Sequence, residues 1–390
     1  MRIFHITETH ELADGGLTTA VNSMLKLMAR EGHVAGIFAT GRKTLVPENI
    51  VRYGKPPPSI GKSWQWSPRL RDDLRGAILE FQPDIIHTHG CWMAPQFFGL
   101  KRANRLGIPT IASYHNFLDP WLLDQQGPLV QAKKQIYWQF VARKVFSKVN
   151  IHHAITKKEF ATLRKYLPHG QITTIPIPIE DIESCNIRGK MLREDAEDCF
   201  VFLGRVARVK ALDQLIAGFA RAGIASRWKL IIAGPVEDQE YSAELDAIAR
   251  QMGVAEAVSF IGPVMPENKW SIINRAWAIC LPSHTEVNGL VNLEAAICGV
   301  PTITTPGTGL IDWESHGGLL AEPNAEALSA CFRMASQWSQ VERMRRGMLL
   351  REHVLATFST RQLASRWTDT YQSVINESKN IFNHSNKKCF

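Results

Sequence analysis

Two carboxylates eight residues apart invite a chemical reading. Glu286 follows a short apolar run that ends at Leu281, and Glu294 falls inside a helical pattern beginning near Leu290. Between them Asn288, Gly289, Leu290 and Val291 would present the leading amides of that helix, a ready site for an anion. A carboxylate at a ligand-facing helix position can hold a vicinal diol, because each oxygen accepts one hydroxyl proton. Glu294 lies too deep in the helix to be a first-turn acid that merely favours the dipole.

Three other loops carry candidate chemistry. Arg205 and Lys210 follow the run Phe202-Leu203-Gly204. Paired cations there suit a diphosphate, Arg as a fork and Lys as a point charge, or they form a solvated basic loop with Arg208. His115 comes straight after Ile111-Ala112-Ser113-Tyr114. A histidine just past a strand end can exchange a proton with a substrate near neutral pH, or it can be structural. His87 and His89 are weaker candidates of the same kind, and His152 and His153, inside a strand, read as structural. Gly15-Gly16 opens a helix and either lets a backbone approach a ligand closely or makes a flexible helix start. The pair does not form GxGxxG, so a dinucleotide site is not supported.

These residues need a scaffold, and the chain alternates strand with helix. Strands are expected near Arg2–Thr7, Val34–Thr40, Asp84–Thr88, Thr110–Ser113, Ile151–Thr156 and Gln171–Ile175, then near Phe200–Gly204, Lys229–Gly234, Val258–Gly262, Ala278–Leu281 and Thr302–Thr304. Helical patterns such as Leu17–Arg30, Gln131–Lys148, Lys210–Ala220, Glu240–Met252 and Leu290–Cys298 fall between them. Apolar strands interleaved with amphipathic helices mean βαβ units and parallel sheets covered on both faces. Two such sets predict an α/β chain with two doubly wound, Rossmann-like domains, 1–180 and 181–357. The boundary is placed in Pro176–Asp198, and a helical segment, 358–377, is expected to pack back on the first domain. Ligands of such sheets bind beyond the carboxyl ends of the strands, where the candidates above sit.

Composition removes other classes. At 390 residues, 45% hydrophobic and 21% charged, the chain is ordinary globular material, long enough for two cores. No apolar run approaches the roughly 18–20 residues that span a bilayer, and the start reads as a strand and not a signal peptide. The seven cysteines are widely spaced without CxxC, which fits a reducing cytosol and small core residues, not zinc or disulfides. Asp72-Asp73 reads as a helical surface feature, not a metal site. The net charge of +8 is lopsided. Residues 1–180 hold 23 Lys and Arg against 13 Asp and Glu, +10, leaving −2 for the rest.

Glu286-x7-Glu294, followed by Ala295-Ala296-Ile297-Cys298-Gly299-Val300-Pro301, resembles the E-x7-E signature of retaining GT-B glycosyltransferases of family 4. The resemblance covers nearly the whole chain. Gly15-Gly16 matches the first-loop glycines, and Asp84-Ile85-Ile86-His87-Thr88-His89-Gly90 resembles D-I-V-H-x-H-G. His115 matches the active-site histidine, and its surroundings, with Leu118-Asp119-Pro120-Trp121, resemble enzymes of bacterial surface-polysaccharide assembly. Gly204-Arg205 and Lys210 match G-R-x4-K-G, with Ala211 for the final Gly, which would then occupy a helical turn. Ala233-Gly234-Pro235, Phe260-Ile261-Gly262-Pro263-Val264 and Thr304-Thr305-Pro306-Gly307 also match.

The resemblance implies a GT-B fold and a metal-independent, cofactor-free, retaining hexosyltransferase. A UDP-, GDP- or ADP-sugar would bind mainly to the C-terminal domain. Arg205 and Lys210 would hold the diphosphate, Glu294 the ribose and the loop at Val264 the base. Glu286 would hold hydroxyls of the transferred sugar, the amides of Asn288 to Val291 the sugar and phosphate, and His115 would lie beside the reacting sugar. The expected acceptor is a glycan, lipid-linked, in polysaccharide, O-antigen, lipopolysaccharide or exopolysaccharide synthesis, and the expected place cytoplasmic and peripheral to the inner face of the membrane. Val287-Asn288 replaces the usual Gly-Phe, so the sugar pocket is expected to differ. The alternatives are a GT-B nucleotide-sugar epimerase and, from net charge alone, a non-enzymatic nucleic-acid or polysaccharide-binding protein. No nucleic-acid motif supports the latter.

Between Gln131 and Lys165 nine cations (Lys133, Lys134, Arg143, Lys144, Lys148, Lys157, Lys158, Arg164 and Lys165) face one acid, Glu159, with Tyr137, Trp138, Phe140 and Phe146 interleaved. This reads either as a layer helix with a solvated basic face or as a surface for an anionic membrane.

Overall fold

The computed structural model describes residues 1–8, 10, 16–40, 50–54, 64–179 and 197–387. The chain forms two compact units, Met1–Pro178 with Thr360–Phe390, and Ile179–Ser359. Gly15 and residues 180–196 of the proposed boundary lie outside the described residues.

The first unit is a seven-stranded parallel sheet: β1 Arg2–Ile6, β2 Val34–Phe38, β3 Val51–Tyr53, β4 Ile85–His89, β5 Thr110–Ser113, β6 Ile151–Ala154 and β7 Ile172–Thr174, ordered β3-β2-β1-β4-β5-β6-β7. The second is six-stranded: β8 Cys199–Leu203, β9 Lys229–Ala233, β10 Val258–Gly262, β11 Ala278–Leu281, β12 Thr302–Thr304 and β13 Leu319–Leu320, ordered β10-β9-β8-β11-β12-β13. Both are doubly wound. Strand order reverses between β1 and β4 in one and between β8 and β11 in the other. At such a point the loops at the carboxyl ends diverge to opposite faces and leave a crevice. β8 shows why these runs become central strands: all five residues of Cys-Phe-Val-Phe-Leu are buried, as a strand covered on both faces requires.

The terminal helix Thr360–Lys387 belongs to the first unit. Leu363, Trp367, Tyr371, Val374 and Ile375 recur at helical spacing and are buried in one cluster with Ile3, Ile37, Ile85, Ile111 and Ile151 of the sheet. Arg366 adds a guanidinium hydrogen bond to the carbonyl of Thr174 (2.8 Å).

Three local expectations change. The continuous helix expected over Gln131–Lys148 is a helix Pro128–Tyr137, a π-helical turn Trp138–Ala142 and a last turn Arg143–Phe146. The wider turn buries Trp138, Ala142 and Phe146 together and leaves Phe140 72% exposed. His89 lies inside β4, not after it. Ala211, expected in a helical turn, takes φ 49° and ψ 42° at the N-cap of the helix Leu212–Arg221. A Cβ there costs roughly 1–2 kcal/mol, which glycine avoids. Ala211→Gly should therefore raise the stability of the second unit by about 1 kcal/mol, read as a higher denaturation midpoint with an unchanged slope.

Candidate functional site

The two loops flanking the reversal in the second sheet carry most of the candidates. The first runs from Gly204 past Arg205 into a 3-10 turn, Arg208–Lys210. The second follows β11 and leads into the helix Leu290–Ile297. Backbone and side-chain bonds join these loops to the one after β12. The amide of His284 donates to the Val209 carbonyl (2.9 Å) and that of Glu286 to the Gly307 carbonyl (3.0 Å). Thr305 Oγ1 donates to the Ser283 carbonyl (2.5 Å). Gly307 is needed for this approach: a Cβ there would lie 2.3 Å from the His284 carbonyl oxygen.

Lys210 and Glu286 meet directly, Nζ to Oε1, with both side chains largely buried. Ser283 Oγ donates to the same carboxylate oxygen (3.0 Å). Glu294, on the helix, accepts from Lys269 Nζ at 2.5 Å through Oε1, while its buried Oε2 has no hydrogen-bond partner. Arg205 is exposed and pairs with Glu237 in the loop after β9. So each cation expected to hold a diphosphate holds a carboxylate here. Arg208 pairs with Glu244 (2.9 Å) and lies over the Tyr241 ring, so it is not merely a solvated cation.

Gly289 caps the helix Leu290–Ile297 at φ 51°, where a Cβ would crowd Asn292 Nδ2 and Thr308 Cβ. The left-handed cap turns the chain so that the amides of Leu290 and Val291 lead the helix. Such leading amides have no partner within a helix. Asn288 is buried with Nδ2 unpartnered. Val264 packs with Val291 against one cluster of this unit. Arg205, Lys210, Glu286, Asn288, Gly289, Leu290, Val291, Glu294 and Val264 are thus all placed on the second unit.

His115 and Gly16 belong to the first unit. Gly16 begins the helix Gly16–Arg30, with open space where a Cβ would be. His115 and Asn116 sit just past β5 at φ 51° and 60°, two consecutive non-glycine residues in the left-handed region. Glu159 secures this loop. Its buried carboxylate accepts the amides of Asn116 (2.7 Å) and Ile155 (2.6 Å), and its own amide donates to Thr156 Oγ1 (3.1 Å). Burial pushes its carboxyl up to about 7. The local sequence signal was the Thr156-x-x-Glu159 spacing of a capping box, of which the structure forms one half, Thr156 accepting the Glu159 amide, while the carboxylate turns to Asn116 and Ile155. Lys269 and Glu237, also missed, have no signal short of the fold.

Behind His115 lies a group of buried histidines. His5, His89 and His115 are linked in series, and His87 stacks on His89 with ring centroids 4.4 Å apart. His87 bonds Tyr371 Oη through Nδ1 and Ser113 Oγ through Nε2, both at 2.7 Å. Ser113 Oγ meets His153 Nδ1 (2.6 Å), whose Nε2 donates to the Ile175 carbonyl. Among the described residues, His5, His87 and His89 each offer a nitrogen within 4.8 Å of the others, the one such grouping of metal-ligating side chains.

Burial disfavours the charged rings. It brings His5 and His115 down to about 3 and His152 and His153 down to about 4. The unfolded chain would take up these protons near pH 6.5, so the folded state binds fewer protons between there and pH 3–4. Stability is then full above pH 6.5 and lost as the pH falls. Each group contributes roughly 1.4 kcal/mol per pH unit well below pH 6.5. Glu159 acts in the opposite sense between pH 4.5 and 7. The first unit should therefore unfold on acidification between pH 6 and 4, seen as loss of far-ultraviolet circular dichroism. A stability flat to pH 4 would contradict the burial of uncharged rings.

Comparison with known proteins agrees with both units. The family described as Glycosyl transferases group 1 matches residues 184–341, and Glycosyltransferase Family 4 matches residues 14–181. A D-inositol 3-phosphate glycosyltransferase of Acidothermus cellulolyticus is 34% identical over 339 residues, covering 79% of this chain and 75% of that protein. The alpha-monoglucosyldiacylglycerol synthase of Streptococcus pneumoniae is 23% identical over 318 residues, covering 78% and 70%. Among solved structures, Anabaena HepE in complex with UDP-glucose superposes with a TM-score of 0.73 at 15% identity, covering 95% of this chain and 99% of that one. With two doubly wound sheets in GT-B topology, a group 1 match on one unit and a family 4 match on the other, the chain belongs to the GT-B glycosyltransferases and is a glycosyltransferase enzyme.

Proposed function

We propose that this enzyme transfers a hexose, with retention and without a metal, from a nucleotide sugar to a lipid-linked glycan in surface-polysaccharide assembly. The observation that carries the donor half is the meeting of Lys210 and Glu286 at the strand-order reversal, beside a helix whose Glu294 keeps one buried carboxylate oxygen unpartnered. Lys210 and Arg205 would exchange their carboxylate partners for the diphosphate. Glu294 Oε2 would accept from a ribose hydroxyl, with the Val264 loop against the base. Glu286 would hold hydroxyls of the sugar, and the amides at Asn288, Gly289, Leu290 and Val291 the sugar and phosphate. His115 is assigned to the reacting sugar. Catalysis then consists of positioning the donor and stabilising the departing diphosphate. That HepE is solved with UDP-glucose supports a nucleotide-sugar donor. Thermal-shift measurement with UDP-, GDP- and ADP-sugars tests this: one of them should raise the melting temperature, and no shift with any would overturn the donor site.

The acceptor reading rests on the surface around the π-helical turn. Leu129 is 85% exposed, with Ile136 and Phe140 also outward, and Lys133, Arg143 and Lys144 stand among them. Lys134 instead lies over the Trp92 ring, 4.9 Å from its centroid. Apolar side chains set among cations suit an anionic bilayer surface. The name of the Streptococcus relative, a glycolipid synthase, points the same way. No helix among the described residues is long and apolar enough to cross a membrane. Reversing the charges of Lys133, Lys134, Arg143 and Lys144 should abolish sedimentation with phosphatidylglycerol liposomes at low salt; retained binding would refute the membrane contact.

A further inference from the structure

His5, His89 and His115 form an unbranched chain. His5 Nδ1 lies 2.9 Å from His89 Nε2, and His89 Nδ1 lies 2.9 Å from His115 Nε2. The two ends, His5 Nε2 and His115 Nδ1, are buried and have no hydrogen-bond partner. His87 is not a branch, since both its nitrogens are engaged by Tyr371 and Ser113. A cation on His5, His87 and His89 would have to displace these bonds, so the geometry favours a hydrogen-bonded chain.

A neutral imidazole has one N–H and one lone pair. Burial keeps all three rings neutral near pH 7. Only two arrangements then preserve both bonds. Either every ring carries its proton on Nδ1, or every ring carries it on Nε2. Any mixture sets two lone pairs or two N–H groups against each other. In the first arrangement the free nitrogen of His115 is a donor; in the second it is an acceptor.

We propose that His5 and His89 are positioning residues that lock their tautomers to that of His115, so that its free nitrogen is set as donor or acceptor by a chain reaching back to β1. The proposal rests on the reading that His115 meets the reacting sugar. Both arrangements are neutral, so the polarity of that nitrogen is set without a buried charge; passing from the first to the second moves two protons along the bonds, while one leaves His115 Nδ1 for solvent and one is taken up from solvent at His5 Nε2. The chain also explains the left-handed backbone at His115 and Asn116, secured by Glu159, as the geometry that aligns the last ring with it.

The test is the tautomeric state of each ring, from long-range 15N–1H spectra of 15N-histidine-labelled protein at pH 7.5. His5, His89 and His115 should show one common tautomer or one common ratio, and a donor found by thermal shift should move all three together. His5→Phe and His89→Phe should change the His115 ratio several-fold. His89→Phe should lower kcat by about 10- to 100-fold with donor KM within about twofold, a misalignment effect. His89→Asn, whose amide reaches the Nδ1 position, should recover part of that loss. Mixed tautomers in the wild-type chain, or a His115 ratio unmoved in folded Phe variants, would overturn the proposal, and the wild-type spectrum decides even if the variants do not fold. Unaltered transfer by His115→Ala would instead sink only the assignment of His115 to the sugar, leaving the coupled tautomers standing.

Discussion

Lys210→Ala should weaken binding of the donor's nucleoside diphosphate by about 10- to 150-fold. A hydrogen bond to a charged group contributes about 1.5–3 kcal/mol, and each 1.4 kcal/mol is a factor of ten. Glu286→Ala should act differently. In the unliganded protein Glu286 occupies the Lys210 ammonium, so its removal frees the cation. Binding of the bare nucleoside diphosphate should hold or tighten, while kcat for sugar transfer falls by about 100-fold or more, in the range of one lost transition-state contact. Calorimetry with the nucleoside diphosphate and steady-state kinetics with the sugar nucleotide separate the two effects. Undiminished diphosphate binding by Lys210→Ala would remove that residue from the site. Equal losses of binding in both variants would mean that Glu286 and Lys210 form a structural pair.

The second large effect concerns the terminal helix. Ending the chain at Ser359 should leave the first unit unable to fold. The deletion strips Leu363, Trp367, Tyr371, Val374 and Ile375 from the first core, where each is buried. At about 1.5–3 kcal/mol for each large apolar side chain, the loss is on the order of 10 kcal/mol. That equals the whole stability of many domains. It also leaves His87 Nδ1 without the Tyr371 hydroxyl. The truncated protein should retain a cooperative transition from the second unit alone, with fluorescence and calorimetric enthalpy reduced accordingly. Two full transitions would show that the helix is dispensable. Tyr371→Phe is the milder probe, costing about 1–3 kcal/mol by orphaning a buried ring nitrogen.

The doubly wound fold was legible because its strands are apolar on both faces and bounded by glycine, proline or caps. Val51–Tyr53 and Leu319–Leu320, both edge strands, escaped because neither presents a run of buried apolar residues: the first is exposed at Val51 with no residue fully buried, and the second is two residues long. The π-helical turn at Trp138–Ala142 escaped because its extra residue is fixed by packing of Trp138 and Phe146, not by any local sequence preference. In the candidate site, loops after strands were readable, and the structure brings Lys210 and Glu286 together. Their partners were not readable. Lys269 reaches Glu294 and Glu237 reaches Arg205 across 25 and 32 residues, through the order of strands in the sheet. The histidines of β1 and β4 were undervalued because strand interiors usually exclude polar rings, and only the register of β1 on β4 shows that His5 and His87 face each other across the sheet.

The first unit is assembled from the two ends of the chain, Met1–Pro178 and Thr360–Phe390, with all of Ile179–Ser359 between them. During synthesis this imposes an order. The second unit is contiguous and can close as soon as it has left the ribosome. The first, though translated earlier, must wait for Thr360–Phe390 before the core that Ile3, Ile37 and Ile85 share with the early helix Gly16–Arg30 is complete. At roughly 5–20 residues per second, that is a delay on the order of ten seconds or more with part of an apolar sheet face open. The nascent chain should therefore engage holding chaperones through its first unit until Thr360–Phe390 has emerged.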